Sequence, residues 1–483
     1  MANEPRLSEA KQRLLELQTR RANSPAEPAA SELSRHPRET PALLSPAQEQ
    51  VWRLDQTAGK LAPLHNESIT IHRRGPCDPA IMARSLAEII RRHEIWRTTF
   101  EAASGDQAGH PVQIVHPPAP FPLLVSDLSA LPQTERETQA LALATADARQ
   151  PFDLQTGPLL RARLVTLGDA EHRLYLTAHQ TIVDGITVFH IFPYELTAIY
   201  ESFAAGKPSP LPELTTQYAD FAAWQRQKLA GGAMENQLAY WQKQLAGELP
   251  VLQWPIPLAS NQARPAEQTY RGAMHSFLLT RELAQSLKDL GRREGATLFM
   301  ILLAGLVSLL HRYTGQQDII VGTLAPSGRK QTEFQPCIGY FLNPVALRAN
   351  LRGSPALGEL WFHSLLHQMR EVTLGAISND DVPLAMIAER LQLKPDPSRH
   401  PFFTVALSVA PDTPQLPSGW SMTYMDVESG GARWDLYLEM SDRAEGLMGR
   451  AQYNPDLFTA DAITQTVEDF RALLGQIAAS QAS

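Results

Sequence analysis

Ala178-His179-Gln180-Thr181-Ile182-Val183-Asp184-Gly185 is the stretch on which the reading of this chain turns. Arg173 to Gln180 reads as a β-strand, with Leu174, Leu176 and Ala178 on one face and Tyr175, Thr177 and His179 on the other. Gln180 closes that strand and faces away from His179. Asp184 follows with a carboxylate, and Gly185 suits a turn where the backbone passes closely or takes a positive φ. Gln180 cannot titrate, but its carboxamide can accept a hydrogen bond from an amine and donate one to an oxyanion. His179 is expected beneath the site, bonded to backbone; a bulge in the strand would turn it inward as a base.

Outward from this segment, strand-like and helix-like stretches alternate from about residue 40 to 210, the signature of mixed α/β architecture. Asp78-Pro79 supplies an N-cap and a first-turn proline for a helix whose Met82, Leu86, Ile89 and Ile90 form its apolar face. A crossover is expected over residues 225–268, with a Gly231-Gly232 break and a helix carrying Tyr240, Trp241 and Leu245. It divides an N-terminal half, 38–224, from a C-terminal half, 269–480. In the second half Thr297 to Tyr313 is apolar nearly all round, which predicts a buried helix capped by Gly315, and Asp318 to Gly322 predicts a buried strand. Residues 1–37 read as a flexible leader. Within it Leu7, Ala10, Leu14 and Leu17 mark one short amphipathic helix, so residues 7–21 are a possible docking element.

Composition narrows the function. Of 483 residues, 43 are Lys or Arg and 51 Asp or Glu, a net charge of −8 with no long basic run, which points away from nucleic acid and anionic membrane. The longest apolar run, Leu298 to Leu310, falls short of the ~20 residues a bilayer span needs. Two cysteines, Cys77 and Cys337, argue against a disulfide framework and a cysteine-based zinc site. No metal site is expected, and a reducing cytoplasm fits.

Six further stretches stand in order along the chain: Leu44-Ser45-Pro46-Ala47-Gln48 with Trp52; Arg92 to Phe100; Tyr218 to Trp224; Ile338 to Asn343; Asp381-Val382-Pro383-Leu384; and Ser398 to Phe403. Together with His179–Gly185 they resemble the motifs of condensation domains in nonribosomal peptide synthetases, over about residues 40 to 478. In that family the central motif is His-His-x-x-x-Asp-Gly, and Gln180 stands where its second histidine would handle the nucleophile's proton. The opening motif departs too, with Gln50 where an Arg is usual.

The resemblance implies two chloramphenicol-acetyltransferase-like α/β halves forming a V-shaped pseudo-dimer around a central tunnel. Substrates would arrive on the phosphopantetheine arms of acyl or peptidyl carrier proteins, with no cofactor bound directly. It also implies that Gln180, His179, Asp184 and Gly185 form the catalytic segment and that Asp184 makes a structural ion pair, here expected with Arg97. Asn343, Ser398 and Arg399 would line the tunnel or orient substrate, with Ser398-Arg399 open to a phosphopantetheine phosphate. Tyr218 to Trp224 reads as a packing latch between the halves. Three functions fit these residues. The first is condensation of a carrier-bound acyl thioester with an amine or hydroxyl, in peptide or hybrid polyketide–peptide assembly. The others are a catalytically silent docking platform for carrier proteins or a tailoring enzyme, and an acyltransferase releasing the chain onto a free soluble acceptor.

Overall fold

The computed structural model describes residues 35–480 except 39, 59–62, 104–108, 233, 256–262, 353–358, 411–413 and 425. The helix expected over residues 7–21 lies outside the described residues. A 5-stranded sheet runs in the order Trp420–Tyr424, Asn66–Arg74, Glu171–His179, Leu160–Gly168, Leu123–Asp127. A 6-stranded sheet runs Asn343–Asn350, Asp318–Ala325, Val405–Val409, Leu436–Arg443, Gly446–Tyr453, Ala273–Thr280. Ala42–Leu43, Pro111–Val115 and Thr98–Ala102 make a small third sheet.

The strand Glu171–His179 is buried along almost its whole length because both faces of its sheet are covered. Leu174, Leu176 and Ala178 join Met82, Leu86 and Ile89 of the helix Pro79–Arg92 and Leu196 and Ile199 of the helix Phe192–Ala204. On the other face Tyr175 and Val165 pack on Ala140, Ala144 and Ala148 of the helix Gln133–Ala148. The Asp78 carboxylate accepts from the Ala80 N–H at 2.7 Å and caps Pro79–Arg92, an interaction worth about 1 kcal/mol.

In the second half, the helix Leu298–Thr314 is buried continuously from Met300 to Leu310 and forms the centre of the apolar core. Gly315, at φ 68°, caps its end as the sequence predicts, while Thr297 stands just outside the helix as its N-cap. Among the described residues no single helix is long and apolar enough to cross a membrane.

The halves are joined more intimately than a boundary at 268 implies. The helix Tyr218–Ala230 runs through the expected 224/225 border. The next helix, Glu235–Gln244, packs Trp241 into the second core, and its indole N–H donates to the Asn379 carbonyl at 2.7 Å. Tyr218 donates to the Tyr340 carbonyl at 2.6 Å and lies 2.9 Å from Ser45 Oγ, while Phe221 packs against Phe334 and Phe341. A Cβ on Gly339 would lie 2.0 Å from the Tyr218 ring, so only glycine lets the ring lie against this backbone. Trp420–Tyr424, from the second half, joins the sheet of the first and pairs antiparallel with Asn66–Arg74, Met422 opposite Ile71, which covers an edge that would otherwise present unpaired backbone groups.

Candidate active site

After His179 the chain makes one 3-10 turn, Gln180–Ile182. The Gln180 N–H donates to the His65 carbonyl at 2.7 Å, and Gln48 Nε2, from the opening motif, donates to the Thr181 carbonyl at 2.9 Å. The turn is thereby fixed at the edge of a cavity of about 290 Å³ between the halves, lined by Glu67, Gln180 and Gly185 from the first half and by Arg433, Glu439 and Arg450 from the second.

Arg433 Nη1 donates to Gln180 Oε1 at 2.8 Å. A guanidinium only donates, so this bond fixes which end of the carboxamide is oxygen and leaves Nε2 as the donor available at the cavity wall. Arg433 Nη2 lies 3.7 Å from Glu67 Oε1. The Glu67 side chain keeps 36% of its surface, opening onto the cavity, yet protein surrounds it closely. That burial pushes its carboxyl above the ordinary carboxylate range, against the pull of Arg433 and Arg450. Arg450 is itself paired with Glu439 at 2.6 Å. The cavity therefore holds a carboxamide donor, two guanidinium groups, the Glu439 carboxylate paired with Arg450, and the Glu67 carboxyl, whose ionisation burial opposes.

The Asp184 ion pair exists, but its partner is Arg329 and not Arg97. Arg329 Nε and Nη2 donate to Asp184 Oδ2 and Oδ1 at 2.9 and 2.8 Å, with Thr187 N–H and Phe341 N–H completing the carboxylate's shell. The planar fork of arginine matches a carboxylate in this bidentate manner. Arg97 lies at the end of the short helix Glu94–Arg97, where it donates to the His116 carbonyl and stands 3.8 Å from Glu94. Gly185 lacks a positive φ. Its requirement is closeness, since an added Cβ would lie 3.3 Å from the Phe189 ring.

His179 is buried outside the cavity wall, its Nδ1 2.8 Å from Thr181 Oγ1 and 3.3 Å from the Thr181 N–H, so it is no substitute base at Gln180. Asn343 does not orient substrate through its amide nitrogen, because Nδ2 donates to the carbonyls of Asp380 and Val382 at 2.7 and 2.8 Å. Ser398 and Arg399 are likewise absent from the cavity wall. Both bind Asp396, at 2.6 and 2.7 Å, and Arg399 borders a separate pocket with His400 and Leu252. His93, in the second motif, accepts from the Ile338 N–H at 3.2 Å and binds Glu195 at 2.9 Å, a tie between the halves.

This arrangement, with Asp184–Arg329 bracing a turn over a cavity between two α/β halves, can be set beside known proteins. The condensation-domain family model matches residues 38–483. The chain belongs to the condensation-domain family. This condensation domain is 38% identical over 448 residues to a linear gramicidin synthase from Brevibacillus parabrevis, covering 91% of the chain and 6% of that protein. It thus spans a small fraction of the length of that relative. Among solved structures it is similar to the X-domain from teicoplanin biosynthesis, at 27% identity and TM-score 0.78 over 93% of this chain and 97% of that one. It also matches the complex of that X-domain with OxyB, at 26% identity and TM-score 0.77 over 94% and 96%. The fold of this condensation domain is accordingly the two-lobed, chloramphenicol-acetyltransferase-like one.

Glu67, Arg433 and Arg329 did not emerge from the sequence. For Arg433 a signal was present in Gly430-Gly431 just before it. A Cβ on Gly431 would lie 2.6 Å from Leu64 Cα, so the glycine lets this loop of the second half close onto the first and carry Arg433 to Gln180.

Proposed function

We propose that this domain joins a carrier-bound acyl thioester to an amine or hydroxyl acceptor inside the cavity, with Gln180 as hydrogen-bond donor and Glu67 as proton acceptor. The single observation that carries this reading is the Arg433–Gln180 bond, which presents Nε2 beside a cavity-facing carboxyl. The acceptor nitrogen or oxygen attacks the thioester carbonyl carbon and gives its proton to Glu67. Negative charge gathers on the carbonyl oxygen, where Gln180 Nε2 donates. The C–S bond then breaks, the acyl group stays on the acceptor, and the phosphopantetheine sulfur leaves with the proton returned by Glu67. Much of the rate comes from holding the two arms end to end.

Intact-mass measurement of acyl transfer from a loaded carrier protein to a panel of amines and alcohols tests this. Transfer by the unaltered domain is expected, with Gln180→Ala slower by about 10²–10³-fold. Carrier binding without transfer to any acceptor, or transfer unchanged in Gln180→Ala, would defeat it. One observation favours a second reading, a docking platform for a tailoring enzyme: the matched X-domain is seen in complex with OxyB. That reading predicts binding without transfer, and restored transfer in Gln180→His.

A further inference from the structure

Behind the Gln180 turn and outside the cavity wall, three side chains from separate elements converge. Asp55 lies on the helix Pro46–Ala58, His65 immediately precedes the strand Asn66–Arg74, and His179 ends the strand Glu171–His179. Asp55 Oδ1 is 3.7 Å from His65 Nδ1 and 3.6 Å from His179 Nε2, and the three atoms lie within 4.8 Å of one another. Those distances exceed hydrogen-bond length. Both imidazole nitrogens are buried without a hydrogen-bond partner, on side chains only 1% and 3% exposed. The rings meet edge to face at 73°, so they approach the carboxylate oxygen from different directions instead of stacking. Two orphaned buried nitrogens aimed at one oxygen, with a gap between them, describe a site for an electron-pair acceptor.

We propose that Asp55, His65 and His179 bind one divalent cation of the zinc type, with water completing its shell. Two imidazoles and a carboxylate suit Zn²⁺ and its first-row neighbours, whereas Mg²⁺ and Ca²⁺ prefer all-oxygen sites. Donor atoms around a tetrahedral zinc stand roughly 3.3 Å apart, so the two distances to Asp55 need to close by only a few tenths of an ångström and the gap between the rings by more. Without an ion His179 Nδ1 accepts from the Thr181 N–H at 3.3 Å, which leaves the proton on Nε2; a metal on Nε2 must displace that proton to Nδ1, where Thr181 Oγ1, 2.8 Å away, can accept it. Asp55, 25% exposed, provides the open side for entry and for water. Such an ion would bind the first helix to two strands directly behind Gln180. It would support the turn and take no part in acyl transfer.

Titration of the full chain with Co²⁺ as a spectroscopic stand-in, followed by Zn²⁺ competition, tests the assignment. One equivalent of Co²⁺ is expected to give visible d–d bands that Zn²⁺ abolishes, and the bands are expected to vanish in Asp55→Asn and in His65→Phe. His65→Gln, which keeps a polar side chain in place, serves should His65→Phe fail to fold. Zn²⁺ at a hundred times its Kd should raise the folded-to-unfolded ratio about a hundredfold in the unaltered chain, with no rise in Asp55→Asn. No stoichiometric band, or bands and stabilisation that persist in the variants, would overturn the assignment.

Discussion

Glu67 carries opposite expectations for activity and for stability. Its carboxyl is raised in the folded state, so it favours folding when protonated. That contribution is present below the unfolded value and is lost as pH rises through the folded one. Ionising it in the folded protein costs stability, so Glu67→Gln is expected to melt at a higher temperature than the unaltered chain at pH 7, with the advantage shrinking as the pH is lowered. The same substitution is expected to slow acyl transfer by about 10²–10⁴-fold and to remove the acid limb of its pH–rate profile. Asp184 carries an expectation for stability through its buried partner. Leaving Arg329 buried without its partner in Asp184→Asn should cost about 3–5 kcal/mol in denaturant unfolding, against under about 2 kcal/mol for Arg97→Ala. The carboxylate's need for a cation was legible in the motif. The identity of that cation was not, because Arg329 lies 145 residues away in a short turn with no periodic signal, whereas Arg97 stood in a motif and drew the assignment.

The legibility of each helix and strand tracks how local its causes are. Pro79–Arg92 and Leu298–Thr314 carry their own caps and apolar faces, and both form where the residues predict. Trp420–Tyr424 has no such mark: its burial is set by Tyr200, whose ring lies 5.2 Å from Trp420, and by a register with Asn66–Arg74 that no neighbouring residue dictates. The contact of Tyr218–Ala230 with the 338–341 segment was legible as a latch, but the need for Gly339 within it appears only when the Tyr218 ring is in place. Gly339→Ala should force ring and backbone apart and lower stability by about 1–3 kcal/mol in thermal or denaturant melts. Gly185→Ala should cost less, because the 3.3 Å contact there is with the side chain of Phe189, which can yield.

Across the whole molecule, the shared strand, the aromatic latch and an apolar cluster running from Leu44 to Tyr424 make the halves one cooperative body. A single unfolding transition is expected, with far-UV and near-UV circular dichroism coincident; two separated transitions would contradict it. The two-half plan could be read from the alternation of elements, while the exchange of Trp420–Tyr424 could not, because it joins residues nearly a whole chain apart. That exchange has a consequence for the making of the protein. The strand Asn66–Arg74 leaves the ribosome early, and its edge partner follows only after roughly 350 more residues, on the order of tens of seconds at about 5–20 residues per second. Through that interval the nascent first half carries an open β-edge that any other extended chain could borrow. A hybrid in which one lobe is exchanged for another protein's must therefore transplant the 420–424 strand with the lobe it completes, not with the lobe it follows in the gene.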